Sequence, residues 1–66
     1  MQIELNGNPH DVSEAATIGH LLETLEIRRD GIAVAVNLRV IPRSEHDRTT
    51  LQAGDRVEVI QAVGGG

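Results

Sequence analysis

Apolar and polar residues alternate from the first position, with Met1, Ile3 and Leu5 set against Gln2 and Glu4. A period of two predicts a strand with one buried face. Asn6-Gly7 follows, a pair that accepts positive φ at both positions and predicts a tight hairpin turn. Asn8 to Val12 is the expected returning strand. Pro9 has no N–H to donate, which places that strand at a sheet edge. After a connector, Ser13 to Ala16, the spacing of Ile18, Leu21, Leu22 and Leu25 changes to i, i+3, i+4, i+7. That is one apolar stripe of a helix, predicted over about 18–27, with Thr17 as N-cap. Arg28 and Arg29 suit the negative end of the helix dipole, and Gly31 is the expected left-handed stop. Gly19 in the first turn looks like a weakness, since glycine is a poor helix former.

Ile32 to Val36 is apolar at every position, which predicts a covered strand. Asn37-Leu38 is expected to turn the chain into a short strand, Arg39 to Ile41, that Pro42 ends. Arg43 to Thr50 is polar and irregular, with room for one helical turn. Ala53-Gly54-Asp55 reads as a turn and Arg56 to Ala62 as the last strand. The order is ββ-α-ββ-β, an α+β chain. One amphipathic helix must bury its leucines, and a sheet face is the only partner large enough. The expected core is Ile3, Leu5, Val12, Ile18, Leu21, Leu22, Leu25, Val34, Val36, Leu51, Val57 and Val59. With Val57 and Val59 turned to the helix, Glu58, Ile60 and Ala62 point away from it.

Composition narrows the function. The 66 residues suit one small domain, here residues 1–62, with residues 63–66 as a tail. A cleft holding both cofactor and substrate is hard to fit in that length. Aromatic residues are absent, which removes stacking platforms for nucleic acid. A net charge of −4 disfavours phosphate backbones and anionic membranes. The expectation is a cytoplasmic protein with no nucleic-acid or membrane partner, because no secretory signal or long apolar run is visible. Cysteine is absent, so there is no thiol chemistry and no cysteine metal site. Lysine is absent too, leaving arginine as the only basic side chain besides histidine.

The candidate chemistry lies at the end. Gly64, Gly65 and Gly66 form a thin tail expected to be flexible, because glycine has no Cβ and tolerates any φ. Such a tail enters channels too narrow for a side chain. It delivers a carboxyl group that is ionised at neutral pH. An ionised carboxylate repels nucleophiles and must first become a mixed anhydride or thioester. Nothing in the sequence supplies a phosphate-binding loop or a catalytic triad, so a separate nucleotide-dependent enzyme must perform the activation. The plain alternative is an inert chain end.

The pattern as a whole resembles the ubiquitin-like β-grasp sulfur carriers, most closely the ThiS type that serves thiazole formation in thiamine biosynthesis. The residues that carry the resemblance are Thr17-Ile18-x-x-Leu21-Leu22, Ala35-Val36-Asn37, Val40-Ile41-Pro42-Arg43, Leu51-x-x-Gly54-Asp55 and the Gly65-Gly66 terminus. No single motif is specific; their order, the length and the terminus together are. His20 departs from the pattern, standing where such proteins often carry an acidic residue. The resemblance implies a β-grasp fold, a mixed sheet of about five strands on one helix. It also implies a non-enzymatic role with no bound cofactor. On this resemblance, a separate adenylyltransferase of the ubiquitin-activating type is expected to use ATP to form an acyl-adenylate on Gly66. The resemblance further implies that sulfur from a cysteine-desulfurase relay replaces AMP and that thiazole synthase consumes the resulting thiocarboxylate. Absent cysteines and lysines fit, since neither competes for the sulfur nor captures the activated tail. Two other roles remain open: the small subunit of a molybdopterin synthase or another sulfur carrier, and a binding module with an inert tail.

Other residues carry weaker signals. His10, His20 and His46 lack metal-ligand spacing and are expected at the surface, so no metal site is expected. Glu23 and Glu26 read as a solvated helix face. Ile60, Ala62 and Val40 are candidates for a partner-docking patch. Arg39 and Arg43 are candidates for contacts to an acidic partner, with ordinary surface charge as the alternative.

Overall fold

The structure is a computed structural model that describes residues 1–61. Strand β1, Gln2–Leu5, turns at Asn6-Gly7 into β2, Asn8–Asp11. Helix α1 spans Ile18–Thr24. Strand β3, Ile32–Val36, turns at Asn37-Leu38 into β4, Arg39–Ile41, and a 3-10 turn follows at Arg43–Glu45. Strand β5, Arg56–Gln61, completes the sheet, whose order is β2-β1-β5-β3-β4. The β1–β5 pair is parallel and the other three are antiparallel, so the sheet is mixed. Both edges are blunted by proline, Pro9 within β2 and Pro42 directly after β4.

Ile18, Leu21 and Leu22 of α1 are fully buried against Ile3, Val34, Leu51 and Val57. Leu5, Val12, Leu25, Val36 and Val59, also expected in the core, are half-buried and pack around it. Ala16 is buried as well, which periodicity did not indicate.

The helix is shorter than expected and stops differently. Its C-cap is Leu25, and the left-handed residue is Glu26, at φ +58°. The Ile27 N–H donates to the Leu22 carbonyl (2.9 Å) and the Glu26 N–H to the Glu23 carbonyl (3.0 Å). That crossed pair is a Schellman ending with glutamate where glycine is usual. Ile27 then folds back on the core as the hydrophobic partner of this ending. Gly31 does have a positive φ, +68°, but it shapes the entry to β3.

The start of the helix is closed by the polar loop. Thr17 Oγ1 accepts from the His20 N–H (3.1 Å), as an N-cap should. The Ile18 N–H reaches the Thr49 carbonyl (3.1 Å) and the Gly19 N–H the His46 carbonyl (3.0 Å), so first-turn donors that helices leave open are satisfied here. This loop also corrects the expectation for His46. Its ring is 1% exposed, with Nε2 3.2 Å from the Ile41 carbonyl. His10 is half-buried and His20 exposed. No helix among the described residues is long and apolar enough to cross a membrane.

Candidate docking face and chain end

Strand alternation divides β5 between two faces. Val57 is buried and Val59 half-buried on the helix side, so Glu58 and Ile60 take the opposite, open side. Register then fixes their neighbours. Ala33 of β3 lies opposite Ile60, and Ala35 lies between Glu58 of β5 and Val40 of β4. Two alanines thus form a low floor between two larger side chains. Ile60 is 58% and Val40 68% exposed, on strands with one strand between them. Large aliphatic groups left on a sheet face with small residues between them suit a complementary surface better than water.

The arginines do not join this row. Arg39 pairs with Val36, which belongs to the helix side, so it projects from the face opposite to Val40. Arg43 sits in the 3-10 turn, at the end of the sheet where β5 also stops, and lies 3.4 Å from Asp30. Ala62, Gly64, Gly65 and Gly66 lie outside the described residues. Among the described residues, no group of three or more His, Asp or Glu side chains is arranged to hold a metal.

Three features of this face were not read from the sequence. Leu38 is 78% exposed and has φ +69°, in a two-residue turn with Asn37 at φ +52°. It borders a shallow depression on the open side shared with Glu4, Asn6, Gly7, Arg56 and Glu58. Arg56 Nε lies 3.2 Å from Glu4 Oε2, an exposed pair on neighbouring strands. Most telling, both turn asparagines use their side chains on β5. Asn37 Oδ1 accepts from the Arg56 N–H (3.0 Å) while its Nδ2 donates to Asp55 (3.1 Å). Asn6 Oδ1 accepts from the Val59 N–H (2.9 Å), 53 residues away. Asparagine was visible as a turn former, but these acceptors exist only because β5 runs between β1 and β3.

Comparison with known proteins matches residues 3–66 to the ThiS family. The chain is 33% identical to the sulfur carrier protein ThiS of Escherichia coli over 66 residues, covering the whole of both proteins. It is 36% identical over 66 residues to a thiazole synthase of Magnetococcus marinus, and there it spans only 20% of the relative's length. In structure it resembles the crystal structure of a thiamine biosynthesis protein, ThiS, from Geobacter metallireducens. That likeness has a TM-score of 0.86 and 33% identity over the whole of both chains.

Proposed function

This chain belongs to the ThiS family, and on that membership we propose that it is a sulfur carrier for thiamine biosynthesis, a substrate protein rather than a catalyst. The observation that carries the reading is the end-to-end likeness to the Escherichia coli sulfur carrier. The working group is the carboxyl of Gly66, reached through Gly65 and Gly64. An adenylyltransferase of the ubiquitin-activating type takes ATP. The Gly66 carboxylate attacks its α-phosphorus, pyrophosphate leaves, and the resulting anhydride is open to nucleophiles. The outer sulfur of a persulfide from a cysteine-desulfurase relay displaces AMP to give an acyl disulfide. A thiol then cleaves its S–S bond, releasing the thiocarboxylate and leaving a disulfide on the donor side. On thiazole synthase the sulfur bonds to the acceptor substrate, the C–S bond to Gly66 breaks, and an oxygen from that substrate or from water takes its place, returning the carboxylate. A sequence like this one within a thiazole synthase chain supports that enzyme as the client.

The docking surface in this reading is the open face around Ile60 and Val40, and Ala62, outside the described residues, is assigned to it from the sequence pattern alone. Arg43 adds a cation at its end, and Arg39 is left for contacts beyond the edge strand. The row Ile60, Ala33, Ala35 and Val40 supports this, being apolar and adjacent to the strand that leads to Gly66.

The test is intact-mass spectrometry after incubation with the adenylyltransferase, ATP and a sulfur source. The expected product is heavier by the difference between one sulfur and one oxygen atom. Removal of Gly66 should abolish the shift while the circular dichroism spectrum is retained. An unshifted wild-type mass beside a partner that converts another carrier would overturn the reading.

A further inference from the structure

The parallel ladder between β1 and β5 ends with a substitution of acceptor. Glu4 donates its N–H to the Asp55 carbonyl (2.9 Å) and Asn6 donates to the Val57 carbonyl (2.9 Å). In a parallel ladder the next bond would run from the Val59 N–H to the Asn6 carbonyl. Asn6, however, is in the left-handed region at φ +48°, because β1 must turn into β2 there. Its carbonyl points toward Asn8, whose Nδ2 is 3.5 Å away. The Asn6 side chain fills the vacant rung, with Oδ1 2.9 Å from the Val59 nitrogen.

We propose that Asn6 is a positioning residue for the carrier reaction: its side-chain oxygen holds the last stretch of β5, and through it Ile60 and the point where the chain continues toward Gly66. The proposal rests on the sulfur-carrier reading above. Its physical basis is an asymmetry in how β5 is held. On the β3 side the register is continuous from Val57 to Gln61. On the β1 side paired residues stop at Val57, and Asn6 supplies the bond beyond that point. An unpaired strand amide would leave this stretch tethered from one side only, and partner binding would then have to order it. The cost falls on association, not on the chemistry at the carbonyl.

Two substitutions separate turn from clamp. Asn6→Gly keeps the positive φ that the turn needs and removes the oxygen. Asn6→Asp keeps both the oxygen and a residue that tolerates the turn. The readouts are ATP–pyrophosphate exchange with the adenylyltransferase, varying carrier concentration, and amide hydrogen exchange at Val59, Ile60 and Gln61. For Asn6→Gly the expected result is a KM about fivefold higher with kcat unchanged, the size of one lost hydrogen bond. Exchange at Val59 should be faster by a similar factor, and Asn6→Asp should restore both. Equal KM for wild type and Asn6→Gly, at a temperature where both are folded, overturns the proposal. So does a Val59 amide in the wild-type chain that exchanges as fast as an unbonded one, a measurement independent of any variant. Absence of exchange activity with the wild-type chain would instead count against the sulfur-carrier reading, leaving the amide data to decide the clamp.

Discussion

Arg29 holds Asp47 through two bonds, Nη2 to Oδ1 at 2.8 Å and Nη1 to Oδ2 at 3.1 Å, across 18 residues of sequence. This fork ties the segment after α1 to the polar loop that caps the start of the same helix. Glu23 adds a longer contact to Arg29 at 3.7 Å. The hydrogen bond from Arg29 is the main cause that holds the Asp47 carboxyl below the usual carboxylate range. Desolvation opposes this, and the charge of Arg29 adds to it. The same bond raises Arg29 above its ordinary value.

The pair predicts an acid limb in stability. A carboxyl that binds its proton more weakly when folded contributes fully above its unfolded pKa. That contribution is lost as the pH falls through the folded value. Asp47→Asn should therefore be less stable than wild type at neutral pH. The gap should close as the pH is lowered through and below the ordinary carboxylate range. Urea unfolding midpoints across that range measure it. A gap of constant size at every pH would remove Asp47 as its source.

Gly19 is explained by the same fork. A Cβ there would collide with the Asp47 carboxylate and the Arg29 guanidinium. Helix propensity alone favours Gly19→Ala by about 1 kcal/mol. In the wild-type background that gain should be largely offset, because the ion pair must move aside. In an Asp47→Ala background, where Arg29 is free to swing out, Gly19→Ala should stabilise by about 1 kcal/mol. Thermal melts of the four proteins in the cycle give the coupling directly.

Glu26 offers an independent gain. It holds the left-handed position of the helix ending, where a non-glycine residue is strained. Glu26→Gly should stabilise the fold by about 1 kcal/mol, or about 4–8 °C in Tm for a chain of this size. A lower Tm would mean that the Glu26 side chain makes a contribution larger than its backbone strain.

The open face predicts the opposite pattern, function lost without stability. Ile60→Thr and Val40→Thr keep β-branched shape and remove apolar surface from exposed positions. Stability should change by no more than about 0.5 kcal/mol. If these side chains are anchors of the docking surface, KM for the adenylyltransferase should rise about tenfold. Equal KM values would move the docking surface elsewhere.

Local signals in the chain were enough for much of the fold. The leucine spacing fixed the buried stripe of α1, Asn6-Gly7 fixed the first hairpin, and Pro9 placed β2 at an edge. The alternation in β5 is enough to put Ile60 on the open side. The end of α1 is not legible from spacing, because apolar residues continue to Ile27 and periodicity does not distinguish one more helical turn from a Schellman partner. The burial of His46 depends on a loop folding over the helix start, which no short spacing records.

What the sequence determined by itself is whatever depends on neighbours a few residues apart: strand and helix periods and turn residues. Tertiary structure alone decided which distant groups meet. Laying β5 parallel to β1 gives Asn6 its hydrogen bond from Val59, and folding the loop over α1 sets the Arg29–Asp47 pair against Gly19. Periodicity is a property of local backbone geometry, whereas a hydrogen bond across 53 residues exists only once the sheet has closed around it.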